Sequence, residues 1–152
     1  MNLELKLPPV LQLVLAGAAI WVVDRVDTVF AFTLPFRASL SALLLLMGVA
    51  IALLGVVAFR RAKTTVDPRY PEQATSLVIG GVYRRTRNPM YLGMLLVLVA
   101  WGLYLGSGLS FVVLIGFVAY MTRFQIVPEE RFMTQSFGDA YTRYQQSVRR
   151  WL

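Results

Sequence analysis

The chain contains no cysteine and no histidine. Their absence removes disulfides, thiol nucleophiles, zinc sites of the Cys/His kind, haem held by histidine and every Ser-His-Asp arrangement. Whatever chemistry runs here must use carboxylates, arginine, tyrosine, asparagine, backbone groups or a bound cofactor, and no metal is expected. Charge is missing locally as well: none occurs from Leu40 to Phe59, and none from Met90 to Thr122. A soluble helical core would show a polar face over such lengths, so these stretches read as lipid-facing. No Gly/Ser linker, low-complexity tract or internal repeat divides the sequence, which reads as one domain over 1–152.

What is present agrees. Of 152 residues 57% are hydrophobic, and the mean hydropathy is +0.62, far above a water-soluble domain of this size. Four spans are expected, at about 7–23, 40–59, 89–105 and 109–127. The first opens on Pro8-Pro9, where a missing N–H costs least, and lacks the basic start and cleavage site of a signal peptide. The second is long enough, at about 1.5 Å per residue, to cross about 30 Å of hydrocarbon, and Arg60-Arg61 stops it. The long uncharged run after Met90 breaks at Gly106-Ser107-Gly108 into an antiparallel hairpin. The expected fold class is therefore all-α: an integral membrane bundle of about four transmembrane helices followed by cytoplasmic amphipathic C-terminal helices.

The formal charge of +7 would raise nucleic-acid binding in a soluble domain. Here the Lys and Arg residues gather in the loop 60–88 and in 123–152, flanking the spans as the positive-inside rule expects, so membrane lipids are the expected partner and nucleic acid is not. The connection 24–37 holds two Arg against two Asp, whereas 60–87 holds seven basic residues against two acidic. Both termini and the 60–88 loop are thus expected on the cytoplasmic side. Residues 26–36 are too short to cross and are expected on the outer interface or over the helix tops. Inside the loop, prolines and glycines frame a short helix expected over Glu72 to Ile79. In 128–152, Met133, Phe137, Tyr141, Tyr144, Val148 and Trp151 recur at helical spacing. Helix four is expected to run about two turns past Pro128, break at Gly138 and resume as an amphipathic helix on the inner leaflet.

Chemistry concentrates where the hairpin meets the cytoplasm. Asn88-Pro89 turns the chain into helix three, with Tyr91 and Gly93 near its start, where unpaired N–H groups attract anions. Helix four of the same hairpin ends on Pro128-Glu129-Glu130. Antiparallel neighbours bring these ends together, so Arg84 to Tyr91 should face Glu129 and Glu130. Adjacent carboxylates at a membrane entrance are costly unless paired. The arginines could instead orient the chain and touch lipid headgroups, Tyr91 could belong to an interfacial aromatic belt, and the Tyr141/Tyr144 stripe could be packing.

The stretches "TTVDPRYPEQATSLVIGGVYRRTRNPMYLG" and "PEERFMTQSFGDAYTRYQQSVRRWL", separated by a hydrophobic hairpin, resemble the bacterial membrane methyltransferases grouped with isoprenylcysteine carboxyl methyltransferase and the phospholipid N-methyltransferases. The resemblance covers about residues 38 to 152. It rests on the Tyr-x-x-x-Arg-(His/Asn)-Pro-x-Tyr-x-Gly block, the Glu pair and the Phe-Gly-x-x-Tyr-x-x-Tyr block in that order. It implies S-adenosyl-L-methionine as cofactor, held on the cytoplasmic side between the hairpin and the C-terminal helices. By matching motif, Arg87, Asn88, Pro89, Tyr91 and Gly93 would shape the cofactor pocket, Glu129 and Glu130 would form its other wall, and Tyr141 and Tyr144 would close it. Arg87, Glu129 and Glu130 are the expected catalytic residues. Members of the family commonly carry His where this chain has Asn88.

Methyl transfer from a sulfonium takes its electrophile from the cofactor and needs no covalent enzyme intermediate, which agrees with a site lacking His and Cys. The lipophilic substrate would enter sideways from the bilayer, in a bacterial inner membrane. A carboxylate acceptor needs no base and is the first reading; an amine acceptor, such as a phospholipid headgroup, must first lose a proton and is the alternative. Two other readings compete: an NADPH-dependent membrane reductase of the sterol-reductase type, and a non-catalytic membrane partner. The sequence leaves the oligomeric state open.

Overall fold

The computed structural model describes residues 4–63 and 75–152. Among the described residues five α-helices follow in order: α1 (Pro9–Val26), α2 (Arg37–Arg61), α3 (Pro89–Leu105), α4 (Ser110–Met121) and α5 (Val127–Ser147), with a 3-10 turn at Gly81–Arg84 before α3 and a π-turn at Thr122–Ile126 joining α4 to α5. The described residues form an all-helical bundle with the apolar surface of a membrane protein. Three helical runs, Pro9–Val26, Arg37–Arg61 and Ser110–Ser147, are long and apolar enough to cross a bilayer; α3, at 17 residues, is shorter.

Helix bounds differ from expectation mainly at the ends. The helix expected over 89–105 is Pro89–Leu105, while α1 runs on through Asp24 and Arg25 and α2 adds a turn at its start. Of the helix expected over Glu72 to Ile79, residues up to 74 lie outside the described residues, and 75–79 are not helical. The stretch 26–36 does cover the helix tops. Phe32 N–H donates to the Gly106 carbonyl at 2.8 Å, Gly108 N–H donates to that of Phe30 at 2.9 Å, and buried Asp27 accepts from Ser107 Oγ at 2.6 Å and from the Leu109 N–H at 3.2 Å. A turn with no charge of its own is thus tied down by one carboxylate from the preceding loop.

The core is built around α3. Ile20 of α1, Tyr91 and Leu98 of α3, Leu114, Phe117 and Met121 of α4, and Ile126 form one buried cluster. Across the other side of α3, α2 packs through small residues: a Cβ on Gly93 would collide with the Gly48 carbonyl, and one on Gly48 would stand 2.7 Å from the Gly93 carbonyl. Such backbone approach is how membrane helices associate where lipid removes the hydrophobic drive. Glycine at position 93 is therefore a packing requirement of the α2–α3 contact. The leucines of α2 point outward; Leu46 is 68% exposed and Leu53 58%, as lipid-facing side chains are. Two apolar hollows of about 420 and 490 Å³ flank Val97 and Trp101, two turns or more into α3 and away from its polar start.

Candidate active site

The junction of α4 and α5 starts from one proline. Pro128 has no N–H to offer the carbonyl four residues back, that of Phe124, and its ring crowds that carbonyl. The chain widens there into the π-turn Thr122–Ile126, and the released Phe124 carbonyl accepts instead from the Leu5 N–H at 3.0 Å. The wider turn brings both Gln125 and Ile126 inward. One helical turn later, at i+4, Glu129 and Glu130 both face the protein, as neighbours on the buried side of a helix can.

The sequence expectation that the two ends of the hairpin meet is realised, and the structure divides the pair of carboxylates. Glu130 is buried and accepts from Arg87 Nη2 at 2.7 Å and from Arg150 Nη2 and Nε at 2.6 and 3.0 Å. Glu129, partly buried, accepts on one oxygen from the Tyr91 hydroxyl at 2.5 Å and from Gln125 Nε2 at 2.6 Å. Its other oxygen has no donor among the described residues. Their protonation diverges accordingly. Burial raises Glu129 to about 7, outweighing its hydrogen bonds from Tyr91 and Gln125. Burial acts on Glu130 too, but its hydrogen bonds from Arg150 and Arg87 prevail and hold it below the usual range.

The remaining motif residues grip the end of the chain. After α5 closes at Ser147 the backbone extends. Arg87 N–H donates to the Arg149 carbonyl, and Arg87 Nη1 to those of Gln145 and Val148 at 2.8 and 3.0 Å; Thr86 Oγ1 and Asn88 Nδ2 both donate to the Arg150 carbonyl. Trp151 donates from its indole to Thr122 Oγ1 and packs on the main core. Asn88 thus acts as an N–H donor to a carbonyl, a task histidine could also perform. Pro89 is buried at the first position of α3, and Gly93 sits against α2 rather than facing the carboxylates. Arg84 and Arg85 are exposed on the 3-10 turn, whereas Arg87 is drawn inside.

Tyr141 and Tyr144 pack with Tyr83 in a second buried cluster, with the Tyr144 hydroxyl on the Tyr83 carbonyl at 2.7 Å. Burial raises the pKa of all three phenols. As expected, the helix breaks at Gly138, whose backbone (φ 51°, ψ −129°) is open to glycine and strained for other residues. The sequence reading overlooked three residues. Arg150 is the second cation on Glu130, Gln125 is the second donor to Glu129, and Gln12 of α1 donates to Gln125 Oε1 at 3.4 Å. Pro128, four residues past Phe124, was the available signal for the π-turn and so for Gln125; nothing in the spacing pointed to Arg150.

Two polar atoms of the site lack a partner among the described residues. Arg87 Nε is buried with no partner among the described residues, and the second Glu129 oxygen accepts nothing. A donor and an acceptor fit a group carrying both a carboxylate and an ammonium or hydroxyls, which the amino-acid part and ribose of S-adenosyl-L-methionine present.

A family model described as phospholipid methyltransferase matches residues 36–140. That span contains Arg87 to Gly93, Gln125, Glu129 and Glu130, and leaves out α1 and the strap around Arg150. An uncharacterised protein of Haemophilus influenzae is 49% identical over 63 residues, 41% of this chain and 100% of that protein. Probable protein-S-isoprenylcysteine O-methyltransferases of Oryza sativa subsp. indica and subsp. japonica are each 34% identical over 116 residues, 74% of this chain. The match spans 59% of the length of the rice proteins. No solved structure matches. With most of its length under the family model and its apolar helices built to cross a bilayer, the chain is a membrane protein that belongs to the phospholipid methyltransferase family.

Proposed function

We propose that the chain transfers a methyl group from S-adenosyl-L-methionine to a lipophilic acceptor that enters from the bilayer. The reaction would take place at the cytoplasmic face of a bacterial inner membrane, with both termini on that face. The observation that carries the reading is the meeting of α3 and α5, where Tyr91 and Gln125 fix one oxygen of Glu129 and leave the other open. Glu129 is the ligand for the cofactor's ammonium or ribose hydroxyls, and Arg87 offers Nε to its carboxylate. Glu130 and Arg150 keep Arg87 in place. When bound, the cofactor would supply an electrophilic methyl for a lone pair of the acceptor, leaving as the neutral thioether. The protein's share is orientation and exclusion of water.

A carboxylate acceptor arrives as a nucleophile, and the rice relatives are described as O-methyltransferases. An amine acceptor is the second reading, and Glu129 is the reason to keep it: a carboxyl raised to about 7 is poised to take a proton near neutral pH. Incubation of detergent-solubilised protein with tritium-methyl S-adenosylmethionine and a bacterial lipid extract tests the proposal. Label should enter the lipid phase; mild alkali releases it as methanol from an ester and leaves it bound to an amine. Saturable NADPH binding with no response to S-adenosylhomocysteine would overturn the reading in favour of a reductase.

A further inference from the structure

We propose that Gln125 is a positioning residue of the site: the π-turn delivers its carboxamide onto Glu129, and Gln12 of α1 holds it there. The inference rests on Glu129 being the working carboxylate. Gln125 is 1% exposed and Gln12 6%, so two amides lie where each unmatched polar group is costly. They form a directed chain. Gln12 Nε2 donates to the Leu7 carbonyl at 2.8 Å and to Gln125 Oε1 at 3.4 Å; Gln125 Nε2 donates to Glu129 at 2.6 Å.

Each link has a structural cause. Pro128 frees the Phe124 carbonyl, the π-turn rotates Gln125 inward, and the Leu5 bond to Phe124 anchors the chain just ahead of α1 beside it. Helix α1 lies outside the part matched by the family model, and Gln12 brings support from it to a carboxylate that lies inside that part. The consequence is chemical. A donor to a carboxylate oxygen favours the ionised form, so Gln125 holds Glu129 ready as an anion and turns its other oxygen toward the ligand. The groups facing Glu129 are Tyr91 of α3, Tyr83 of the 3-10 turn, Tyr141 of α5 and its neighbour Glu130. Arg87 and Arg150 are engaged by Glu130, which leaves Gln125 and Tyr91 as the donors to Glu129.

Infrared titration of the purified protein in detergent reads this without cofactor or acceptor. The protonated-carboxyl band of Glu129 is identified by its loss in Glu129→Gln, and should titrate near 7 in the unaltered chain. In Gln125→Leu it should move up by about one pH unit, the loss of one donor to a charged group, and in Gln12→Leu by less in the same direction. The acid limb of methyl transfer should shift with it and recover at high pH. A band unmoved in Gln125→Leu, but absent from Glu129→Gln, overturns the positioning role and leaves the reading of Glu129 standing. A band near 7 that persists in Glu129→Gln overturns both. Should Gln125→Leu not fold, an unmoved band in Gln12→Leu overturns the role of the chain.

Discussion

The two ends of the α3–α4 hairpin are both tied by carboxylates, with opposite outcomes. At the Gly106 turn, Asp27 meets neutral donors only: Ser107, the Leu109 N–H and the Phe30 N–H, the last at 2.8 Å. Both of its oxygens are occupied, and it does nothing but hold a turn. At the other end two adjacent carboxylates divide the work. Glu130 is saturated by Arg87 and Arg150 and resembles Asp27 in having no capacity left; Glu129 keeps an open oxygen and a raised pKa. Pairs of carboxyls whose environments push them apart mark acid–base sites. A carboxylate with both oxygens occupied is architecture, and one with an oxygen left open is available for chemistry.

The largest difference should come from removing the open one. Glu129→Gln should lower methyl transfer by at least about 100-fold while the protein stays folded, measured as initial rates with labelled cofactor. Glu130→Gln should act on stability instead. It leaves two arginines around a neutral amide, one of them largely buried, and should cost about 3 kcal/mol in denaturant unfolding.

pH separates the two further. Glu130 is held below 4.5, so its contribution is present above that value and lost as pH falls below it; the gap between the unaltered chain and Glu130→Gln should close in acid. Glu129 is raised, so its contribution is present below 4.5 and lost as pH climbs through about 7. Thermal unfolding from pH 4 to 8 should therefore show the unaltered chain losing stability over that window relative to Glu129→Gln. The smallest effect belongs to Asp27→Asn, a drop in unfolding temperature below that of Glu130→Gln with methyl transfer unchanged.

Much of this arrangement was legible beforehand because it follows from hydropathy and helix geometry. Uncharged runs ending at Phe59 and beginning at Met90, a Gly-Ser-Gly break and the rule that hairpin partners are antiparallel bring Arg87 and Tyr91 to Glu129 and Glu130. The meaning of individual motif residues was not legible. Gly93 stands in the motif beside Tyr91 yet serves the α2 contact, because the face a helical residue occupies depends on partners far away in sequence. Asn88 and Arg87 hold the strap at Arg149 and Arg150, which no local spacing announces. The sequence weighed the two glutamates together, and their separate partners, the arginines for Glu130 and Tyr91 for Glu129, come from contacts far away in sequence.

The most direct measurement is isothermal titration of the detergent-solubilised protein with S-adenosyl-L-methionine, run beside Glu129→Gln at pH 8. The account predicts saturable one-site binding that weakens at least about tenfold in the variant, the loss of a charge-assisted contact. Equal affinity in the two proteins, or no binding by either, would contradict it.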